Sequence, residues 1–360
     1  MNKPIFVTQP SLAPLEEYAK LLEDAWASGI LTHNGPLMRR LERELAAYLG
    51  CPDLVCLANG TCAMQLSIRA LDLTGEIITT PFTFIATANI ISWERCRPVF
   101  VDIEAGSWNM DPEKIEAAIT PRTSAILPVH VFSAPCNIDR IQAIAKHHAL
   151  KVIYDAAHAL AVNYHGKSVL NCGDISCVSF HATKLFNTAE GGGCVSLDPG
   201  LNARVRRLRF FGFDENKEIV DEGMNAKMTE VHAALGLANL RYLDQVRANR
   251  RRKYHQYVEQ LKEAGFVKFQ QFNPEEYNYS YMPVLLDSEA RMLRVLGNLA
   301  AKQITPRRYF HPCLNTLKHF APNCSLPVSE SVAARILCLP LYDSLVEDEI
   351  DRVCKCVRNA

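Results

Sequence analysis

The sequence predicts an α/β protein: a larger domain built on a mostly parallel, buried sheet, followed by a smaller α+β domain. Three observations carry this. Short β-rich runs alternate with helical segments through the first two-thirds of the chain, a pattern that implies crossover connections. The length of 360 residues, with 48% apolar and 22% charged, suffices for a large core. After Thr229 comes a long stretch with Gly236 as its only interior glycine, and beyond it the pattern changes. The expected division is 1–245 and 246–360.

In chain order, the expected strands are 54–57, 76–80, 98–101, 124–127, 151–154, 175–179 and 193–197, each a short run bounded by turn residues. Helical spacing or composition falls between them at 62–71, 112–118 and 138–148. From Thr229 to about Gly265 the absence of proline and the basic stretch 247–253 read as one long helix or two in sequence. The tail offers a strand at 279–286, placed at a sheet edge because Pro283 interrupts it, and a helix at 288–302.

Composition narrows the function. Lys plus Arg and Asp plus Glu are both 39, so no electrostatic excess would hold nucleic acid or an anionic membrane. No run reaches the roughly 18 apolar residues that a membrane span needs. The thirteen cysteines are odd in number and lie in apolar stretches, which fits a reducing cytoplasm better than a disulfide framework. Cys354 and Cys356, the close pair, match neither a zinc knuckle nor a redox motif, and no metal is expected.

The most informative stretch is 175–196. A β run ends in Ser179-Phe180-His181, Lys184 follows in the loop, and Gly191-Gly192-Gly193 open the next strand. A lysine just past a strand end and a glycine run beside it are what a Schiff base with a flat cofactor requires: the amine must reach the aldehyde, and backbone must pass close to the ring. Alone, Lys184 reads more readily as a solvated loop lysine, since most lysines are solvated. Asp155 ends the apolar strand before it, at the sheet edge where open α/β folds bind ligands. There it would keep a pyridine nitrogen protonated, or cap a helix. Asn59-Gly60-Thr61 lies between a strand and a helix, where backbone N–H groups make a phosphate site. Phe84 could stack on a ring or belong to the core. Asn225 reads as a turn residue before the helix at Thr229. No G-x-G-x-x-G or Walker loop points to a dinucleotide or nucleoside triphosphate.

Together and in this order, these pieces resemble the DegT/DnrJ/EryC1/StrS family of sugar aminotransferases, which use pyridoxal 5'-phosphate (PLP). The resemblance runs from Gly29-Ile30-Leu31-Thr32-His33-Asn34-Gly35-Pro36, through Thr80-Pro81-Phe82-Thr83-Phe84, Asp155-Ala156-Ala157-His158 and the Lys184 loop, to Gly223-Met224-Asn225-Ala226-Lys227-Met228 and Arg307-Arg308-Tyr309-Phe310. It implies the PLP-dependent transferase fold type I, like aspartate aminotransferase. It also implies roles. Lys184 is the Schiff-base residue and proton shuttle, and Asp155 pairs with the pyridinium. Gly60, Thr61 and Ser179 hold the phosphate, Phe84 stacks on the ring, and Asn225 reaches the phosphate of a neighbouring subunit in a homodimer with shared sites. Arg307, Tyr309 and His311 line the sugar mouth.

Two positions depart from the family pattern. His158 stands where most members have glutamine; it could still donate to the cofactor's ring oxygen, with a charge that depends on pH. Lys227 stands where many have arginine and cannot make the same bidentate contact. The Asp-Ala-Ala-His variant is most similar to members that aminate C4 of dTDP-4-keto-6-deoxyglucose, with L-glutamate as donor, for O-antigen or other glycan synthesis. Amination at C3, or of a UDP or GDP sugar, is the alternative. Relatives that act as dehydratases lack the lysine, which sets Lys184 against that reading, and no helix-turn-helix or basic segment supports a DNA-binding regulator.

Overall fold

The computed structural model describes residues 3–320 and 324–360. Seven strands form its main sheet: β1 (Val55–Leu57), β2 (Glu76–Thr79), β3 (Arg97–Phe100), β4 (Thr123–Leu127), β5 (Lys151–Asp155), β6 (Ile175–Ser179) and β7 (Gly192–Val195). Their order is β1-β7-β6-β5-β4-β2-β3, and all run the same way except β7, which opposes both neighbours. Each coincides with an expected run to within one or two residues at either end.

The strands are apolar on both faces because both are covered. Val152, Val178, Val195 and Ile126 face one buried cluster with helices α1 (Leu15–Ser28), α2 (Pro36–Leu49), α5 (Ile138–His147) and α7 (Glu230–Leu240). Their chain neighbours Ile153, Cys177, Cys194 and Ala125 face a second cluster with α3 (Gly60–Ala70), α4 (Ile85–Trp93) and α6 (Pro199–Leu208). This is the period-two alternation of a sheet sandwiched between helix layers. One long-range cap ties the first layer together. The carboxylate of Glu230, fully buried, accepts from the N–H groups of Leu37 (2.7 Å) and Met38 (2.9 Å) at the start of α2, where the helix presents unsatisfied donors and its positive dipole end. A Cβ at Gly35 would come within 2.5 Å of that carboxylate, so the position is closed to a side chain.

The segment after Thr229 is two helices, α7 and α8 (Leu243–Leu261). Leu243 and Val246 of α8 pack in the first core, and Tyr254, Tyr257 and Leu261 pack in a separate C-terminal core. That core covers an antiparallel sheet of β8 (Val267–Phe269), β9 (Met282–Leu286) and β10 (Ile336–Leu339), with helices α9 (Glu289–Ala300), α10 (Pro327–Arg335) and α11 (Glu347–Arg358) completing the chain. Ile5, from a short N-terminal strand paired with Ile304, also belongs to it.

Two expectations are corrected. The 112–118 segment forms two 3-10 turns, Pro112–Lys114 and Glu116–Ala118, not a helix. The proline-bearing strand β9 is central, not at an edge. The reason is local. Cys338 spends both of its backbone groups on Arg307, so it and Pro283 form a non-hydrogen-bonded pair. The donor that proline lacks would face the other side, where β8 has already ended opposite Val284.

All thirteen cysteines are free thiols. Among the described residues no helix is long and apolar enough to cross a membrane, and no three metal-ligating side chains gather.

Candidate active site

Because β7 is reversed, its start lies at the same sheet edge as the ends of the other six strands. Gly192 pairs with Leu57 on one side and Ser179 on the other. A cavity of about 670 Å3 opens at this edge, lined by Asn59, Gly60, Thr61, Phe84, Thr87, Asp155, His158, Ser179 and Lys184, and from the C-terminal part by Tyr281, Arg307 and Tyr309. Six parts of the chain far apart in sequence thus converge on one hollow, the position where open α/β sheets bind ligands.

Its floor is built for close approach. A Cβ on Gly192 would lie 2.4 Å from the Asn59 carbonyl carbon, and one on Gly60 would lie 2.9 Å from Ser179 Cβ. Glycine at both positions lets β6, β7 and the start of α3 meet. Asn59 caps α3, its Oδ1 accepting from the Cys62 N–H at 2.8 Å. The N–H groups of the first turn and the hydroxyls of Thr61 and Ser179 form a concave donor set suited to a phosphate.

Lys184 sits on the loop between β6 and β7, and that loop is stitched across its base. Phe180 N donates to Gly191 O (2.8 Å), Thr188 N to Phe180 O (2.9 Å) and Ala182 N to Ala189 O (2.7 Å). Nζ is 3.2 Å from the Tyr281 hydroxyl. Burial pushes the amine below the usual lysine range, while Asp155 and Tyr309 act the other way. Asp155 is buried at the end of β5; its Oδ2 accepts from the Thr87 hydroxyl at 2.8 Å and its Oδ1 from Ala157 N at 3.0 Å. Burial raises its carboxyl, opposed by those two hydrogen bonds and by Lys184. A carboxylate with so little compensation gains from a cationic partner, and a pyridinium is such a partner. The donor cradle, the depressed amine and the under-compensated carboxylate fit PLP.

His158 answers one expectation differently. Its Nδ1 accepts from Phe132 N at 3.2 Å, and its ring lies nearly parallel to Phe132 and Phe310, at 6.2 and 5.8 Å. Burial, followed by the Lys184 charge, holds it well below the ordinary histidine value. Its charge therefore does not change near neutral pH: the imidazole is neutral, and with Nδ1 occupied the proton sits on Nε2. A histidine depressed in the fold binds its proton more readily when unfolded, so stability declines as pH falls below about 6.5. Buried His130, lowered to about 3, adds to the same decline. The thermal midpoint is expected to drop between about pH 7.5 and about pH 5, and to drop less in His158→Gln. Equal drops in the two proteins would show that His158 does not contribute.

Phe84 is 57% exposed and faces the cavity, which settles it as no core residue. His311 does not line the cavity; it is exposed on the far side of Phe310 in the chain. Asn225 does not line it either. It is exposed, and its Oδ1 accepts from Lys227 Nζ at 2.6 Å. Two lining residues that hydrogen-bond the expected ones, Thr87 to Asp155 and Tyr281 to Lys184, escaped the sequence reading. Thr87 carries no motif, though it lies one helical turn after Phe84. Tyr281 closes the run Tyr277, Tyr279, Tyr281, a spacing that reads as a strand face and says nothing of a site.

The family model for DegT/DnrJ/EryC1/StrS aminotransferases matches residues 15–358. The chain belongs to this family. Its members are PLP-dependent sugar aminotransferases, and the fold is shared with neighbours such as an NtdA structure from Bacillus subtilis with bound PMP. Within the family, it is 39% identical to the dTDP-4-amino-4,6-dideoxy-D-glucose transaminase of Shigella dysenteriae, over 99% of both chains. It is 40% identical to the enzyme of that name from Escherichia coli, over 98% of both. Among solved structures, DesI in the presence of its TDP-sugar product superposes with a TM-score of 0.95 at 36% identity, covering 100% of this chain and 93% of the other. This DegT/DnrJ/EryC1/StrS member is therefore a PLP-dependent aminotransferase.

Proposed function

We propose that the protein transfers the amino group of L-glutamate to C4 of dTDP-4-keto-6-deoxy-D-glucose, giving dTDP-4-amino-4,6-dideoxy-D-glucose for glycan assembly in the cytoplasm. The observation that carries the chemistry is one cavity holding Lys184, Asp155 and the Asn59–Thr61 cradle. The end-to-end similarity to two transaminases of that product supports the choice of sugar.

Bound PLP supplies a sink for the electrons released when a proton leaves the donor carbon. Asp155, steadied by Thr87 and the Ala157 N–H, would keep the cofactor's ring nitrogen protonated. With the cofactor held there, His158 Nε2 would offer it a neutral donor, and Lys184 Nζ would be the group that accepts and gives back the migrating proton. Its lowered affinity for a proton suits both directions. His158→Gln is expected to keep most activity, since the amide still donates, and His158→Ala to lose more.

The deciding experiment offers the purified protein a panel of dTDP-, UDP- and GDP-linked keto sugars with glutamate, and identifies products by mass spectrometry and NMR. Amination at C3, or a preference for another nucleotide, refutes the assignment. At the mouth, Tyr309→Ala is expected to raise KM for the nucleotide sugar at least about tenfold with little change for glutamate. If both constants rise together, Tyr309 acts through the fold or the cofactor.

We further propose a two-fold dimer in which exposed Asn225 serves the partner's cofactor phosphate. Lys184→Ala and an Asn225 variant that loses cofactor, each inactive alone, are then expected to recover up to about a quarter of wild-type activity when refolded together. No recovery in verified mixed dimers would assign Asn225 to its own subunit.

A further inference from the structure

The hydrogen-bond partner of the Lys184 amine comes from the other end of the chain. Tyr281 lies 97 residues away, immediately before β9, and its hydroxyl meets Nζ at 3.2 Å. The ring is buried, 6% exposed, with its centroid 4.5 Å from that of His158 and 5.6 Å from that of Phe132. The backbone before it is pinned. Arg250, itself buried, donates to Ser280 O at 3.2 Å, and the Ser280 N–H and hydroxyl both bond Asn278 Oδ1, at 3.0 and 2.7 Å. Asn278 Nδ2 in turn donates to the carbonyls of His158 (2.9 Å) and Leu160 (2.8 Å). The phenol is thereby fixed to the same loop that follows Asp155. Lysine, by contrast, is among the side chains that lose most freedom when ordered.

We propose that Tyr281 is the positioning residue for Lys184: its hydroxyl holds the ε-amine at the reacting position whenever that amine is free, in both half-reactions. This rests on the aminotransferase reading of the site. Burial keeps the phenol protonated, with Cys338 and Asp155 acting in the same direction and Arg250 against it. A neutral phenol can accept from an ammonium and donate to an amine, so it serves Lys184 in either state. The bond to the charged form is the stronger. Removing the hydroxyl therefore tips Lys184 toward the neutral amine, while Asp155, Tyr309 and His158, the other groups that face it, remain.

Tyr281→Phe removes the oxygen and keeps the ring. In the full chain stripped of cofactor, acetic anhydride labelling across a pH series, read at Lys184 by peptide mass spectrometry, is expected to shift to lower pH, with severalfold faster labelling near neutrality. Superimposable curves overturn the proposal. In the loaded enzyme, kcat is expected to fall at least about tenfold with glutamate and with keto sugar alike, with each KM within about twofold. An unchanged kcat with a raised KM for the sugar alone would instead make Tyr281 a sugar contact. Failure of the aminotransferase reading has its own signature: wild-type protein whose cofactor absorbance does not respond to glutamate. The labelling arm decides the Tyr281 contact even then.

Discussion

Replacing Lys184 with alanine is expected to reduce transamination to the limit of detection and to remove the yellow absorbance of lysine-linked cofactor. The cavity explains why no substitute exists: among its lining residues Lys184 is the only primary amine, and the one other strong cation, Arg307, carries a guanidinium and not an amine. The effect should be chemical and not structural, since the loop around Lys184 is held by backbone bonds that alanine keeps. Cofactor should still bind through the phosphate cradle and Asp155. Added amino-sugar product should remain attached to it, because the amine that would displace it is gone. Spectroscopy with product, together with a steady-state assay, checks both parts. A Lys184→Ala protein that turns over at the wild-type rate would sink the assignment.

Asp155→Ala is expected to cost two to four decades in rate. Breaking a buried charge pair from one side typically costs about 3–5 kcal/mol, and each 1.36 kcal/mol on a barrier is about tenfold. Here the carboxylate is buried, so its partner would be left uncompensated, and the Thr87 hydroxyl at 2.8 Å would lose its acceptor as well. Thr87→Val, which removes one hydrogen bond and keeps the charge, should lose far less. A loss of about tenfold or less in Asp155→Ala, with normal folding, would mean that the residue serves mainly to hold the 155–157 turn.

The sheet was legible because its strands are covered on both faces: a run such as Val152-Ile153-Tyr154 has no polar face to blur its limits. Lys184, Asp155 and Asn59-Gly60-Thr61 were legible for a related reason, since each falls just beyond such a run and hence at one sheet edge. What lay outside local pattern was not. Tyr281 and Thr87 reach the site through tertiary packing, and nothing around them in the sequence marks the distance they close. The neutrality of His158 depends on Phe132, Phe310 and Lys184 surrounding it, which a titratable residue type alone does not disclose. Pro283 misled because the rule against proline in a central strand assumes a neighbour on both sides along its whole length, and β8 stops one residue short.

The reversed direction of β7 has a dynamic consequence. A lysine mounted at the head of a crossover would ride on a connection free to drift at one end. Here both ends of the segment feed adjacent ladder positions, and three further bonds rung it together. The Cα of Lys184 is thus anchored, and the travel its amine needs during a catalytic cycle comes from rotation about the side chain's own four carbons. Loop motions take nanoseconds to microseconds, and with the backbone anchored the amine's repositioning does not have to wait on one.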